Sequence, residues 1–152
     1  MNRRKDEHIM SRCIAVNCVD GRAHLPVIEF IKREYGVSLF DVITEWNPAY
    51  VLSERNTFIE ANSIMEKIKN LIKNNICSVI VITAHHGCAD NCESDADYFR
   101  HLNLSAQYIA KHFPELKVIG LWIDADGNTK EVCSVKPEEN NKPEEVSYGK
   151  GC

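Results

Sequence analysis

His85 and Cys88 close the apolar run Val79-Ile80-Val81-Ile82-Thr83-Ala84. At that spacing an imidazole nitrogen and a thiolate can converge on one ion, at ~2.0 and ~2.3 Å for zinc. Two ligands do not hold zinc, so partners must come from another part of the chain. Arg12-Cys13-Ile14-Ala15-Val16-Asn17-Cys18 is a second short apolar segment, and its last residue is followed by Asp20 and Arg22. A thiolate, a carboxylate and a guanidinium at two-residue steps could supply a ligand, a proton acceptor and a partner that keeps the acceptor ionised.

These groups can meet only if the intervening chain brings the ends of two strands together. Continuous apolar residues over 77–84 suit a central parallel strand covered on both faces. The segment 12–18 reads as the first strand, ending at Asp20-Gly21. Pro26 then opens a helix carrying Val27, Ile28, Ile31 and Tyr35, and Gly36 stops it. Leu39 to Thr44 gives a second strand within 37–46, closed by Asn47-Pro48, because the residue before proline is pushed out of the α region.

From Ser53 a long helical region is expected, with Thr57 and Glu60 at capping-box spacing. Ala61, Ile64, Met65, Ile68, Leu71 and Ile72 form its apolar stripe. Ser94 and Asp97 mark another helix start, with Leu102, Ala106, Ile109 and Phe113 on the buried side. Lys117 to Ile123 is a fourth strand, and after the turn at Asp126-Gly127-Asn128 residues 129–135 return as an antiparallel edge strand.

Alternation of strand and helix predicts an α/β fold: a mostly parallel four-stranded sheet in the order 2-1-3-4 with an antiparallel edge strand, and helices on both faces. The switch point then falls between strands one and three, where ligands bind in such sheets. Topology alone brings Cys18 to His85 and Cys88, and these three would leave a fourth tetrahedral position for water or substrate. If the chain stays extended after Cys18, Asp20 shares its face and Arg22 lies beyond, close enough to pair with Asp20.

The composition fits a protein of this kind. Of 152 residues 44% are hydrophobic and 26% charged, enough for one core-bearing domain. The net charge of -4 argues against a nucleic-acid partner, which would need a basic face. No apolar stretch approaches the ~20 residues that span a bilayer, and no signal h-region follows the basic start, so a cytoplasmic protein is expected. Seven cysteines form no even disulfide framework; metal ligation or buried thiols are the better readings, with Cys77 and Cys133 as core residues. Residues 1–11 form an N-terminal arm, 12–135 the domain, and 136–152 a mobile acidic tail too poor in apolar groups to order.

Cys18-x-Asp20-x-Arg22 followed far along by His85-x-x-Cys88 resembles the zinc signature of the β-class carbonic anhydrases. The likeness continues in Phe40 to Asn47 and in Val118 to Gly127, and covers residues 12 to 135. Where that family usually has Ala-Gly-Asn after strand two, this chain has Asn47-Pro48-Ala49-Tyr50, and Ala89 follows the last cysteine where a glycine is usual.

The resemblance implies a Zn2+ lyase in which Cys18, His85 and Cys88 hold the metal and Asp20 and Arg22 serve catalysis. The reaction would be reversible hydration of carbon dioxide to bicarbonate by zinc-bound hydroxide. A homodimer or higher homo-oligomer is the assembly it implies. Two thiolates and a neutral imidazole cancel the charge of the ion, so activity should rise toward alkaline pH. His86 is either a proton carrier or an ordinary exposed loop residue.

The alternatives are distinct. The same hydroxide could attack carbonyl sulfide or carbon disulfide, since both are linear substrates. Asp20 or Cys92 could close the shell and leave a structural zinc site, because a metal without an open position activates no water. Redox chemistry between Cys88 and Cys92 ranks below both, as no Cys-x-x-Cys pair is present.

Overall fold

A computed structural model describes residues 11–54, 58–88 and 94–137. The expected N-terminal arm, apart from its last residue, the acidic tail beyond 137, the Thr57 cap, Ala89, Cys92 and Cys152 lie outside the described residues.

The chain forms β1 (Arg12–Cys18), a 3₁₀ turn (Gly21–Ala23), α1 (His24–Tyr35), β2 (Leu39–Glu45), α2 (Pro48–Glu54), α3 (Phe58–Asn74), β3 (Val79–His85), α4 (Asp95–His112), β4 (Lys117–Ile123) and β5 (Thr129–Val135). The sheet order is β2-β1-β3-β4-β5. The first four strands are parallel and β5 is antiparallel to β4, as the sequence pattern predicts. All seven residues of β3 are buried, which is why its run carries no polar alternation.

Each face of the sheet has its own core. Val27, Phe30 and Ile31 of α1 pack on Cys13, Ala15, Val79, Val81 and Leu121. On the opposite face Leu52 of α2, Ile64 and Ile68 of α3, and Leu102 and Ile109 of α4 cover Ile14, Val16, Ile80 and Ile82. Each such aliphatic side chain contributes about 1.5–3 kcal/mol when fully buried. The helices wind to opposite faces after β1 and β2, and this reversal leaves the crevice between the carboxyl ends of β1 and β3.

Two expectations need correction. Ser53 does not open a long helix: it lies near the end of the short helix α2, and α3 starts at Phe58. α2 spans seven residues, too few to show a period of 3.6 in the sequence. Nor does the chain stay extended past Cys18. It turns at once, with Asp20 as N-cap of the 3₁₀ turn.

Candidate metal centre

β1 and β3 are adjacent and in register over Cys13↔Val79 to Val16↔Ile82, so their last residues arrive side by side. Cys18 and His85 are those residues. Cys88 returns to them through a turn in which Gly87 has φ +74°, a conformation that side chains rarely adopt. The backbone angle is what favours glycine here, since a Cβ would lie 3.5 Å from Nη1 of Arg22, an ordinary contact. The Cys88 N–H donates to the Tyr98 hydroxyl at 3.0 Å, which ties the turn to α4.

The ligand-capable atoms of Cys18, His85 and Cys88 lie within 4.8 Å of one another, and all three residues are buried. The sulfurs of Cys18 and Cys88 are 3.6 Å apart. Two sulfurs each ~2.3 Å from one tetrahedral ion stand ~3.8 Å apart, so this is the spacing of a ligand pair, not of a disulfide. His85 Nδ1 lies 3.0 Å from the His86 carbonyl oxygen, which fixes the proton on Nδ1. Nε2 then carries a lone pair, and it is buried without a hydrogen-bond partner. An orphaned imidazole nitrogen beside two sulfurs fits a borderline-soft divalent cation such as zinc.

The sulfurs do not titrate alike. The hydrogen bond from Cys88 holds Cys18 well below the usual thiol range despite burial, helped by His85 and by the backbone N–H groups of Asn47 and Asp20. Cys88 moves the other way, because it shares its proton with Cys18 and because it is buried. Burial opposes a charged His85 ring, yet the Cys18 sulfur and the His86 carbonyl tip its pKa upward. The cluster thus holds negative charge on sulfur at neutral pH, and a cation would displace the remaining protons.

Asp20 and Arg22 do meet, by a different route from the extended one expected. Asp20 Oδ1 accepts from the Arg22 backbone N–H at 2.9 Å and from Nε at 3.1 Å, and Oδ2 accepts from Nη2 at 2.6 Å. Those hydrogen bonds hold the Asp20 carboxyl far below the usual carboxylate range. Arg22, His85 and His86 line a cavity of about 310 Å³ together with Ile123 and the turn Asp124–Gly127. His86 is exposed, and its N–H donates to the Ile123 carbonyl at 2.9 Å. His101, a second buried histidine, sits edge-on to Tyr50 at 5.1 Å between ring centroids.

One residue at the site escaped the sequence reading. Asn47, read from the sequence as the stop of β2, is buried with φ 48°, and its backbone N–H favours the charged form of both sulfurs. The available signal was its place two residues past Glu45, which pairs in register with Cys18.

Comparison with known proteins agrees with this geometry. The crystal structure of β-carbonic anhydrase isoform I from the protozoan Trichomonas vaginalis superposes with a TM-score of 0.53 at 15% identity, covering 82% of this chain and 83% of that one. At that identity the likeness establishes the fold. No curated protein sequence matches. Residues 9–133, however, match the model of the family described as "Putative carbonic anhydrase". The chain belongs to that carbonic anhydrase family and carries the β-class fold.

Proposed function

We propose that this chain catalyses the reversible hydration of carbon dioxide to bicarbonate with zinc held by Cys18, His85 and Cys88. The reading rests above all on the buried, unpartnered Nε2 of His85 beside two sulfurs 3.6 Å apart. Zinc bound there would supply Lewis acidity, lowering the pKa of a coordinated water from ~15.7 toward ~7.

The protein's own groups account for the rest. The His86 carbonyl orients the His85 ring, and the Tyr98 hydroxyl anchors the backbone that carries Cys88. Arg22 keeps Asp20 ionised, so throughout the neutral range the carboxylate can accept a hydrogen bond but does not itself take up the proton. The same contacts restrain Asp20 from swinging onto the metal, which supports an open fourth corner rather than a closed structural site. Arg22, His85 and His86 line the cavity, a route by which a small linear substrate can approach.

A homodimer is the assembly we favour. β2 is an edge strand, and Val19, Val42 and Trp46 at its end of the sheet are about half exposed. Such an apolar strip suits a second copy of the chain. No helix among the described residues is long and apolar enough to cross a membrane.

The test is stopped-flow hydration of carbon dioxide by the zinc-loaded chain, run beside hydrolysis of carbonyl sulfide and carbon disulfide. Hydration that disappears on chelation and returns with zinc is expected. One equivalent of zinc with no turnover of carbon dioxide would overturn the proposal, and turnover of a sulfur substrate alone would move the activity to that substrate.

A further inference from the structure

The two strands that deliver the metal ligands stay paired with their outer neighbours to the last residue but part from each other early. β1 follows β2 as far as Cys18↔Glu45, and β3 follows β4 as far as His85↔Ile123. Between β1 and β3 the register ends at Val16↔Ile82. Past that pair the strands fork, and Cys18 and His85 stand at the tips of the fork. Asn17 and Thr83 are the next residue on each strand. The Thr83 hydroxyl donates to Asn17 Oδ1 at 2.6 Å, a short bond of its type, and lies 3.5 Å from the Val16 carbonyl oxygen.

That bond differs in kind from everything around it. Asn17 is 2% exposed and Thr83 is fully buried. Every other residue from Val79 to Ala84 is apolar. On their face of the sheet the two follow Ala15 and Val81, which belong to the core under α1. A leucine and a valine would fill nearly the same space, and replacing both partners of a buried hydrogen bond by apolar groups of the same shape is close to neutral for stability. Stability therefore does not call for a polar pair here. Position does, because a satisfied buried hydrogen bond fixes one arrangement where apolar side chains accept several. Cys18 is the residue after Asn17, and His85 lies two residues past Thr83 on the same face, so the width of the fork at this pair carries over to the ligands.

We propose that the Asn17–Thr83 hydrogen bond is a clasp that sets how far β1 and β3 separate, and thereby the distance between the Cys18 sulfur and the His85 imidazole. Both are positioning residues, acting through Cys18 and His85. The inference rests on the reading of those residues as a metal centre and adds the pair that holds its two strands at the width an ion needs.

The experiment uses the full chain and three measurements: zinc affinity by competition titration, visible absorption of the cobalt(II)-loaded protein, and urea denaturation of the metal-free protein. Thr83→Val keeps the shape and removes the hydroxyl, Thr83→Ser keeps the hydroxyl, and Asn17→Leu combined with Thr83→Val removes both partners. Thr83→Val should weaken zinc binding about tenfold, shift the cobalt bands and lower the urea midpoint, since it leaves Asn17 Oδ1 unsatisfied. Thr83→Ser should hold zinc and absorb as the parent does. In the double variant the urea midpoint should return to that of the parent, while zinc affinity stays about tenfold low and the cobalt bands stay shifted. A pair that served only the core would not separate metal geometry from stability in this way.

Parent-like zinc affinity and cobalt bands in the double variant would overturn the inference and leave the carbonic anhydrase reading standing. Equal losses of zinc in Thr83→Ser and Thr83→Val would also overturn it, and that comparison decides the matter even where the double variant does not fold. A parent chain that takes up neither zinc nor cobalt would bring down the proposed function, and this inference with it.

Discussion

The two ends of the β1–β3 pair hold the same ingredients and behave in opposite ways. At the amino end Cys13 and Cys77 pack into the cores on opposite faces of the sheet, near an arginine–aspartate pair, Arg12 with Asp41, joined at 3.0 and 3.1 Å. At the carboxyl end Cys18 and Cys88 lie beside Arg22 and Asp20. Burial pushes the Cys13 and Cys77 thiols up, and at Cys13 the neighbouring Cys77 and Asp41 charges add to it. At the other end one sulfur is driven to thiolate. Two thiols near an ion pair are therefore not a metal site. What differs is an imidazole with a free lone pair and backbone N–H groups aimed at sulfur, and in a parallel sheet such groups come from the loops that leave the carboxyl ends of strands.

Removing a group from each end should separate them most sharply. Cys18→Ala or His85→Ala should lower zinc affinity by more than the ~100-fold that losing a supporting hydrogen bond costs, and abolish hydration, while Cys13→Ala keeps both. Equilibrium dialysis with metal analysis measures this; a Cys13 variant that loses zinc would erase the contrast. Next in size, Asp20→Asn should reduce hydration about 10²-fold with zinc retained, the worth of a hydrogen bond to a charged acceptor, whereas Asp41→Asn should leave the rate unchanged. Comparable losses in the two would show that either pair acts only through stability.

A smaller effect is expected from Tyr98→Phe. It orphans the buried Cys88 N–H, at about 1–3 kcal/mol of stability, and should weaken zinc binding about tenfold, as urea titration and metal competition can measure. The smallest concerns pH. The raised thiols of Cys13 and Cys77 keep their protons in the folded chain, so their share of stability is complete below the unfolded-state thiol pKa. It is lost as pH rises above ~8.5, by at most ~1.36 kcal/mol per pH unit for each thiol. Denaturation of the metal-free chain at pH 7.5 and 10 should show the decline, and Cys13→Ala should flatten it.

The sequence made the two strand ends legible because Val79 to Ala84 is apolar at every position but Thr83, and because His-x-x-Cys and Cys-x-Asp-x-Arg carry their chemistry in residue type. The sheet order followed from alternation of strand and helix. What stayed hidden were features set by single dihedral angles. The turn at Gly21 folds Arg22 back over Asp20, so the pair expected from an extended chain forms by a different path. Asn47 before Pro48 signals a strand end in any protein, and nothing in its neighbours announces a buried amide. The short α2 lacks the length that periodicity needs, and its identity comes from packing against α4 and β3.

Cys18 and Cys88 are 70 positions apart, and the crossovers of two parallel strands must form before their sulfurs can meet. An unfolded chain offers an ion at most the local His85–Cys88 pair, so the three-ligand site needs the assembled sheet. Loading then acts as a ratchet on the finished architecture: at a free zinc concentration of 100 times Kd it adds about 2.7 kcal/mol against unfolding. Chelation should accordingly lower the melting temperature without slowing refolding of the strands.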